Sequence, residues 1–168
     1  MLNPNSPLAK LMTAPVRSGL VTWIGLRPQR QAPIEVVEAA RLTTTQGLVG
    51  DRYSGRSGSR HVTLIQAEHL TAIAAYLGLD AVAPELMRRN IVVSALNLLA
   101  LKEQRFRLGS ALLEMTGECH PCSRMEETFG PGGYNAVRGH GGITARVLED
   151  GEVRVGDAVL PQGQSDRA

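Results

Sequence analysis

Short apolar segments separated by glycine and proline dominate this chain, and most of them alternate rather than repeat every third or fourth residue. Residues 16–26 are rich in Val and Ile, carry Trp23 and stop at Arg27-Pro28, which predicts a first strand. Residues 34–42 fit helix or strand by periodicity, and Val36-Val37 tilt them toward strand. Residues 61–65 and 91–93 predict two further short strands. Phe106 and Leu108 run into Gly109-Ser110, and Ala111, Leu113 and Met115 alternate after it, the pattern of a hairpin. Ile143, Ala145 and Val147 alternate up to Asp150-Gly151, with Val153 and Val155 beyond, so a second tight hairpin is expected there. Gly156-Asp157 then leads to one more short strand.

Helical spacing is rarer. Leu70, Ile73, Ala74 and Leu77 fall at i, i+3, i+4 and i+7, with Gly78 as a stop. Pro84 opens a short helical turn reaching Arg89, residues 121–129 predict another helix, and Tyr134 to Arg138 one turn within the glycine-rich 130–142. Residues 43–60, TTTQGLVGDRYSGRSGSR, lose all apolar periodicity and are expected to form one long loop. No repeat or interdomain linker interrupts the pattern. Residues 16–160 are therefore expected to form one mainly β domain with a few peripheral helices (α+β). Residues 1–15 would be an N-terminal extension and residues 161–168 a polar tail.

Composition narrows the function classes. With 43% hydrophobic and 20% charged residues, wholesale disorder is excluded. A net charge of +2 and only six aromatic residues argue against a nucleic-acid-coating surface or a base-stacking platform. No run approaches the ~18 apolar residues of a membrane span. Residues 1–15 lack the apolar core of a secretory signal, and two cysteines three positions apart do not staple a secreted scaffold. A cytoplasmic protein without membrane or nucleic-acid partners is expected. Of the 18 cationic residues only Lys10 and Lys102 are lysine. Codon bias accounts for such a number, but not for placement, and arginine's planar fork suits phosphate or carboxylate.

Four segments carry candidate chemistry. The sharpest is Cys119-His120-Pro121-Cys122. A thiol works as nucleophile, ligand or redox partner only as thiolate, and a position opening a helix beside His120 and Arg124 favours that form. A thioredoxin-like centre would follow an early strand, whereas this pair follows a late hairpin. A zinc site lacks a second cysteine pair, and covalent haem attachment needs histidine where Ser123 stands. A single working thiolate, Cys122, ligating a soft metal or carrying sulfur, stands beside the plainer alternative of two buried thiols. The second segment, Gly47-Leu48-Val49-Gly50-Asp51-Arg52 with Arg56 and Arg60, is either an anion cradle or a solvated loop. Arg88-Arg89-Asn90 sits just before an apolar strand, either projecting into a pocket or simply ending a loop. Gly139-His140-Gly141-Gly142 permits close approach of backbone to a ligand, or is a plain turn.

In this order the segments resemble the MOSC domain, the C-terminal domain of molybdenum-cofactor sulfurase, and its small standalone bacterial members. The matching features begin with Gly47-x-x-Gly50-Asp51-Arg52, Arg88-x-Asn90-Ile91 and Arg107-x-Gly109. They continue with Pro121-Cys122, His140-Gly141-Gly142 and Gly151-x-Val153-x-x-Gly156-Asp157. The resemblance implies a β-barrel with peripheral helices and makes Cys122 the hallmark cysteine, with Cys119 a departure from the pattern. It implies one of two activities. One is molybdenum-cofactor (molybdopterin) binding and reduction of N-hydroxylated small molecules, with electrons from a separate flavin-containing reductase. The other is a sulfur carrier, holding a persulfide on Cys122 for metal–sulfur cofactor assembly. The pyridoxal-phosphate domain of the full sulfurase has no room here, so a sulfur donor would be separate. A non-catalytic binding module is a third alternative, and oligomeric assembly is left open. In the first activity Cys122 ligates molybdenum, and Arg88 and Asn90 contact the pterin or its phosphate, with Ser123, Arg124 and Gly141 alongside. Arg52 and Arg60 close over cofactor or substrate. Asp51 orients Arg52 or relays a proton, a role for which His140 is the second candidate.

Overall fold

The computed structural model describes residues 2–52 and 58–162. Among them the alternating segments form β1 (Gly19–Leu26), β2 (Glu35–Val37), β3 (Ala39–Thr43), β4 (Gly47–Leu48), β5 (Val62–Gln66) and β6 (Ile91–Ser94). The chain continues with β7 (Arg105–Leu108), β8 (Ala111–Glu118), β9 (Ile143–Glu149), β10 (Gly151–Arg154) and β11 (Ala158–Pro161). Five short α-helices accompany them: α1 (Pro7–Met12) ahead of β1, then α2 (Ala67–Leu77), α3 (Pro84–Met87), α4 (Ser123–Phe129) and α5 (Gly133–Val137).

Seven strands close a barrel in the order β11-β7-β8-β9-β5-β6-β1, and β1 meets β11 antiparallel at Gly19↔Val159 to complete the ring. Only β5 and β6 run parallel, joined over the outside by α2 and α3. β2 extends the far half of β1, while β10, β3 and β4 form a separate three-stranded sheet. The period of two sorts the buried side chains. Leu64, Ile91, Val93, Phe106, Leu113 and Ala145 belong to one core cluster, while Ile65 and Val92 pack with Leu70, Ile73, Met87 and Met125 of the helices. All five residues of β5 are buried because this strand has a core on both faces.

Three expectations change. Residues 34–42 form two strands, not one: β2 pairs with β1 and β3 with β10, with Glu38 between them. The stretch 43–60 is not all loop, since Gly47 and Leu48 pair with β3 and Leu48 is wholly buried; residues 53–57 lie outside the described residues. Asp150-Gly151 does not join a hairpin. Both edges of β9 are already occupied, by β5 and β8, so β10 leaves it and pairs with β3. Asp150 instead accepts the Thr44 N–H at 2.8 Å, tying the two sheets' connections together. Val155 falls just past β10. The hairpin at Gly109 forms as expected; its φ is +57° and a Cβ there would lie 2.3 Å from the Glu152 carbonyl oxygen, so glycine is required. Among the described residues no helix is long and apolar enough to cross a membrane.

Candidate functional site

Strand pairing brings the ends of β1 and β8 and the starts of β6 and β9 together around the middle of β5. Ile24 sits opposite Ile91, Leu64 beside both Ile91 and Ile143, and Glu118 opposite Ile143. At this mouth lies a cleft of about 720 Å³. Its lining includes Arg27, Arg88 and Arg89, Arg52 and Arg60, and His120, Pro121, Cys122 and Arg124. With Arg30, the arginines supply the charge of the lining, without a carboxylate among the described residues. Such a cleft selects anions.

Its floor is a buried hydrogen-bond network. Arg27 donates Nε to Asp51 Oδ1 at 3.0 Å and Nη2 to Asp51 Oδ2 at 2.9 Å; Nη2 also reaches Asn90 Oδ1 at 3.0 Å. Asn90 is wholly buried, with Nδ2 donated to the Gly25 carbonyl and to Asp51, and Oδ1 accepting the N–H and hydroxyl of Thr63. Burial alone would raise the Asp51 pKa, but the hydrogen bonds and charge of Arg27, with help from Asn90, outweigh it and hold the carboxyl below its ordinary value. Asn90, expected beside the pterin or its phosphate, has its side-chain amide bonded to Arg27, Asp51, Thr63 and the Gly25 carbonyl. Asp51 grips Arg27 with both carboxyl oxygens, and its side chain is sealed from solvent.

Arg88 and Arg89 stand on this floor. Arg88 caps α3 in the left-handed region at φ +53°. Its Nη1 donates to the Ala32 carbonyl at 2.9 Å, whereas Nη2 is buried without a hydrogen-bond partner. Burial, then the charges of Arg27, Arg124 and Arg52, lower the Arg88 pKa from its ordinary value. A guanidinium stays charged at any physiological pH, so the effect changes no protonation state. Arg89 donates Nε to the Gly141 carbonyl at 2.7 Å and Nη1 to the Met87 carbonyl at 3.0 Å. Burial, with the charges of Arg27 and Arg60, lowers its pKa, while negative charge on Cys119 or Cys122 acts the other way.

The two cysteines differ. Cys119 is buried, with its N–H donated to the Gly142 carbonyl at 2.8 Å; Cys122 is exposed at the cleft and is the N-cap of α4. Both are free thiols. Among the described residues no cluster of three His, Cys, Asp or Glu side chains is placed to hold a metal ion. A metal held by Cys122 would therefore bring its remaining ligands with it.

The other expected site residues lie apart from the cleft wall. Ser123 is exposed at the start of α4 but does not line the cleft. Gly141 is buried in a crevice beneath Cys119, where it serves by accepting the Arg89 bond. His140 packs edge-on against His69 at 4.8 Å and Tyr76 at 5.5 Å, on the α2 side. Arg27 and Arg30 belong to the cleft and escaped the sequence reading, whereas Arg89, singled out there beside Arg88, lines it too. Arg27-Pro28 registered there only as a strand stop, although an arginine at a strand end is a signal worth weighing.

A protein-family model described as MOSC domain matches residues 42–160. No curated protein matches the chain. Among solved structures, YuaD of Bacillus subtilis superposes with a TM-score of 0.75 at 19% identity, covering 85% of this chain and 94% of that one. YiiM of Geobacillus stearothermophilus superposes with 0.70 at 15% identity, covering 85% of this chain and 74% of that one. YiiM of Escherichia coli gives 0.64 at 19% identity, covering 87% and 71%. These likenesses show a shared fold.

Proposed function

Because this chain belongs to the MOSC domain family, we propose that its arginine-lined cleft holds a molybdenum cofactor and reduces N-hydroxylated small molecules. The observation that carries the reading is the pairing of an exposed thiol, Cys122, with the buried, unpartnered Nη2 of Arg88 in one cationic cleft. A pterin-bound molybdenum needs one soft protein ligand and an anion clamp for its phosphate, and the donor set fits both. Cys122 would supply the soft ligand. Arg88 would take the phosphate, with Arg124, Arg52 and Arg60 adding charge around it. The bound group would supply two-electron reduction, turning an N–OH group, two electrons and two protons into N–H and water. Arg27, Asp51 and Asn90 hold the floor in shape and keep water out of it. The electrons would come from a separate flavin-containing reductase, and the setting would be the cytoplasm.

The exposure of Cys122 also favours a second reading, in which it carries sulfur as a persulfide received from a separate donor. One experiment separates the two. Protein made in a host competent for molybdenum-cofactor synthesis is analysed for metal, as wild type, Cys122→Ala and Cys119→Ala. Molybdenum in wild type and Cys119→Ala but not in Cys122→Ala supports the cofactor reading. Absence of molybdenum from all three, with persulfide on Cys122 after incubation with a sulfur donor, supports the carrier.

A further inference from the structure

Arg27 occupies an unusual place in the cleft: it lines the wall, yet its donors face inward. Nε and Nη2 are spent on Asp51 and Asn90, and Nη1 donates to the backbone carbonyl of Arg88 at 3.1 Å. Its main chain is tied as firmly. The Arg27 N–H donates to Asp51 Oδ1 at 2.9 Å, and the Arg27 carbonyl accepts the Arg52 N–H at 2.7 Å. One residue thus joins the segments bearing two cleft arginines that are 36 positions apart in sequence (52 and 88).

Arg88 needs such a tie. At φ +53° it sits where L side chains are uncommon, and α3, which it caps, is a single turn of four residues. The Arg88 N–H is held by the Glu85 carbonyl, but no bond within so short a helix sets the direction of the Arg88 carbonyl. The bond from Arg27 Nη1 does, and that backbone direction decides where the Arg88 side chain leaves. From there its Nη1 meets the Ala32 carbonyl and its Nη2 is left to a ligand.

We infer that Arg27 is a positioning residue for anion capture: locked by Asp51 and Asn90, it holds the Arg88 carbonyl and so aims the Arg88 guanidinium into the cleft. The inference rests on the reading that the cleft takes a phosphate-bearing cofactor. Arg27 acts through geometry rather than charge, so lysine does not replace it. A lysine ammonium has no planar fork and does not hold Asp51, Asn90 and the Arg88 carbonyl in one fixed arrangement.

Two measurements on the full chain test this. The first is calorimetric titration with inorganic pyrophosphate at low salt, on wild type, R88Q, R27K and the double variant. R88Q and R27K are each expected to weaken binding at least about tenfold, the loss that goes with a hydrogen bond to a charged group. If Arg27 works through Arg88, adding R27K to R88Q changes affinity by less than about twofold. Wild-type affinity in R27K, or effects that add in full, overturns the inference. The second is a crystal structure of R27K, in which Arg88 is expected to leave the left-handed region and release Ala32. An unchanged Arg88 overturns the inference whether or not pyrophosphate binds. Failure of wild type to bind pyrophosphate counts against the cofactor reading alone, and the crystal structure then decides the role of Arg27. Should R27K fail to fold, R27M/D51N takes its place in both measurements with the same expected outcomes. It removes both buried charges while keeping an acceptor at position 51.

Discussion

Asp51 and Arg27, 24 positions apart in sequence, meet as a two-point fork under the cleft, with side chains 0% and 9% exposed. The Arg154–Glu152 pair, by contrast, is 67% and 49% exposed. The contrast sets an expectation. Asp51→Ala leaves a buried guanidinium unpaired and is expected to cost about 3–5 kcal/mol. Glu152→Ala at the surface is expected to cost about 0–1 kcal/mol. Urea unfolding of the two variants against wild type measures both, and equal losses would contradict the assignment.

The same pair sets an acid limit. The Asp51 pKa lies below its ordinary value of 3.8 in the folded chain, so around pH 3.8 the unfolded chain binds more protons than the folded one. The stability contributed by Asp51 is fully present above that pH and is lost as pH falls through the lower folded value. Asp51→Asn removes this dependence. Stability of wild type and Asp51→Asn measured from pH 6 to pH 2 is expected to show the difference between them shrinking toward the acid end.

Cys122 is exposed and Cys119 is 5% exposed. Under native conditions iodoacetamide is therefore expected to label one thiol rapidly and the other only after unfolding. Mass spectrometry should find the fast adduct on Cys122, and Cys122→Ser should abolish it while Cys119→Ser leaves it intact.

A Cβ at position 141 would lie 2.1 Å from the Cys119 carbonyl oxygen, a backbone atom that cannot step aside alone. Gly141→Ala is expected to destabilise by about 1–3 kcal/mol, the usual cost of overpacking. Because Arg89 Nε bonds to the Gly141 carbonyl and Cys119 N–H to that of Gly142, the strain falls on the segment leading to Cys122. The variant should therefore also expose Cys119 to alkylation. A melting temperature equal to that of wild type, with Cys119 still protected, would refute this.

His61 Nδ1 accepts the Val147 N–H at 2.9 Å, which makes the folded form the Nε2–H tautomer. Burial and, next, the charge of Arg146 lower its pKa below the ordinary 6.5. Its neutral form is thus native, and its share of stability is lost as pH falls from 6.5 through the folded value. Nitrogen chemical shifts of the ring, followed from pH 8 to pH 4, report tautomer and midpoint together.

Much of this was legible in the chain. The alternation of Ile143, Ala145 and Val147 put one face of β9 into the barrel, and the spacing of Leu70, Ile73 and Ala74 put one face of α2 against its outside. Both follow from local periodicity, which needs no knowledge of neighbours. The separate fates of β9 and β10 were not legible, because which edge a strand takes depends on which edges are already filled.

The site divides along the same line. Sequence alone determined the inventory: two thiols three positions apart, the apolar alternation of a mainly β domain, and arginines beside glycine-rich segments. Tertiary structure decided the roles. It buried Cys119 and exposed Cys122, set Asn90 into a buried hydrogen-bond network, and moved Arg27 from strand stop to the centre of that network. The reason is physical. A side chain's chemistry travels with its residue, but its burial and partners are set by strands that closure of the barrel brings together from distant parts of the chain.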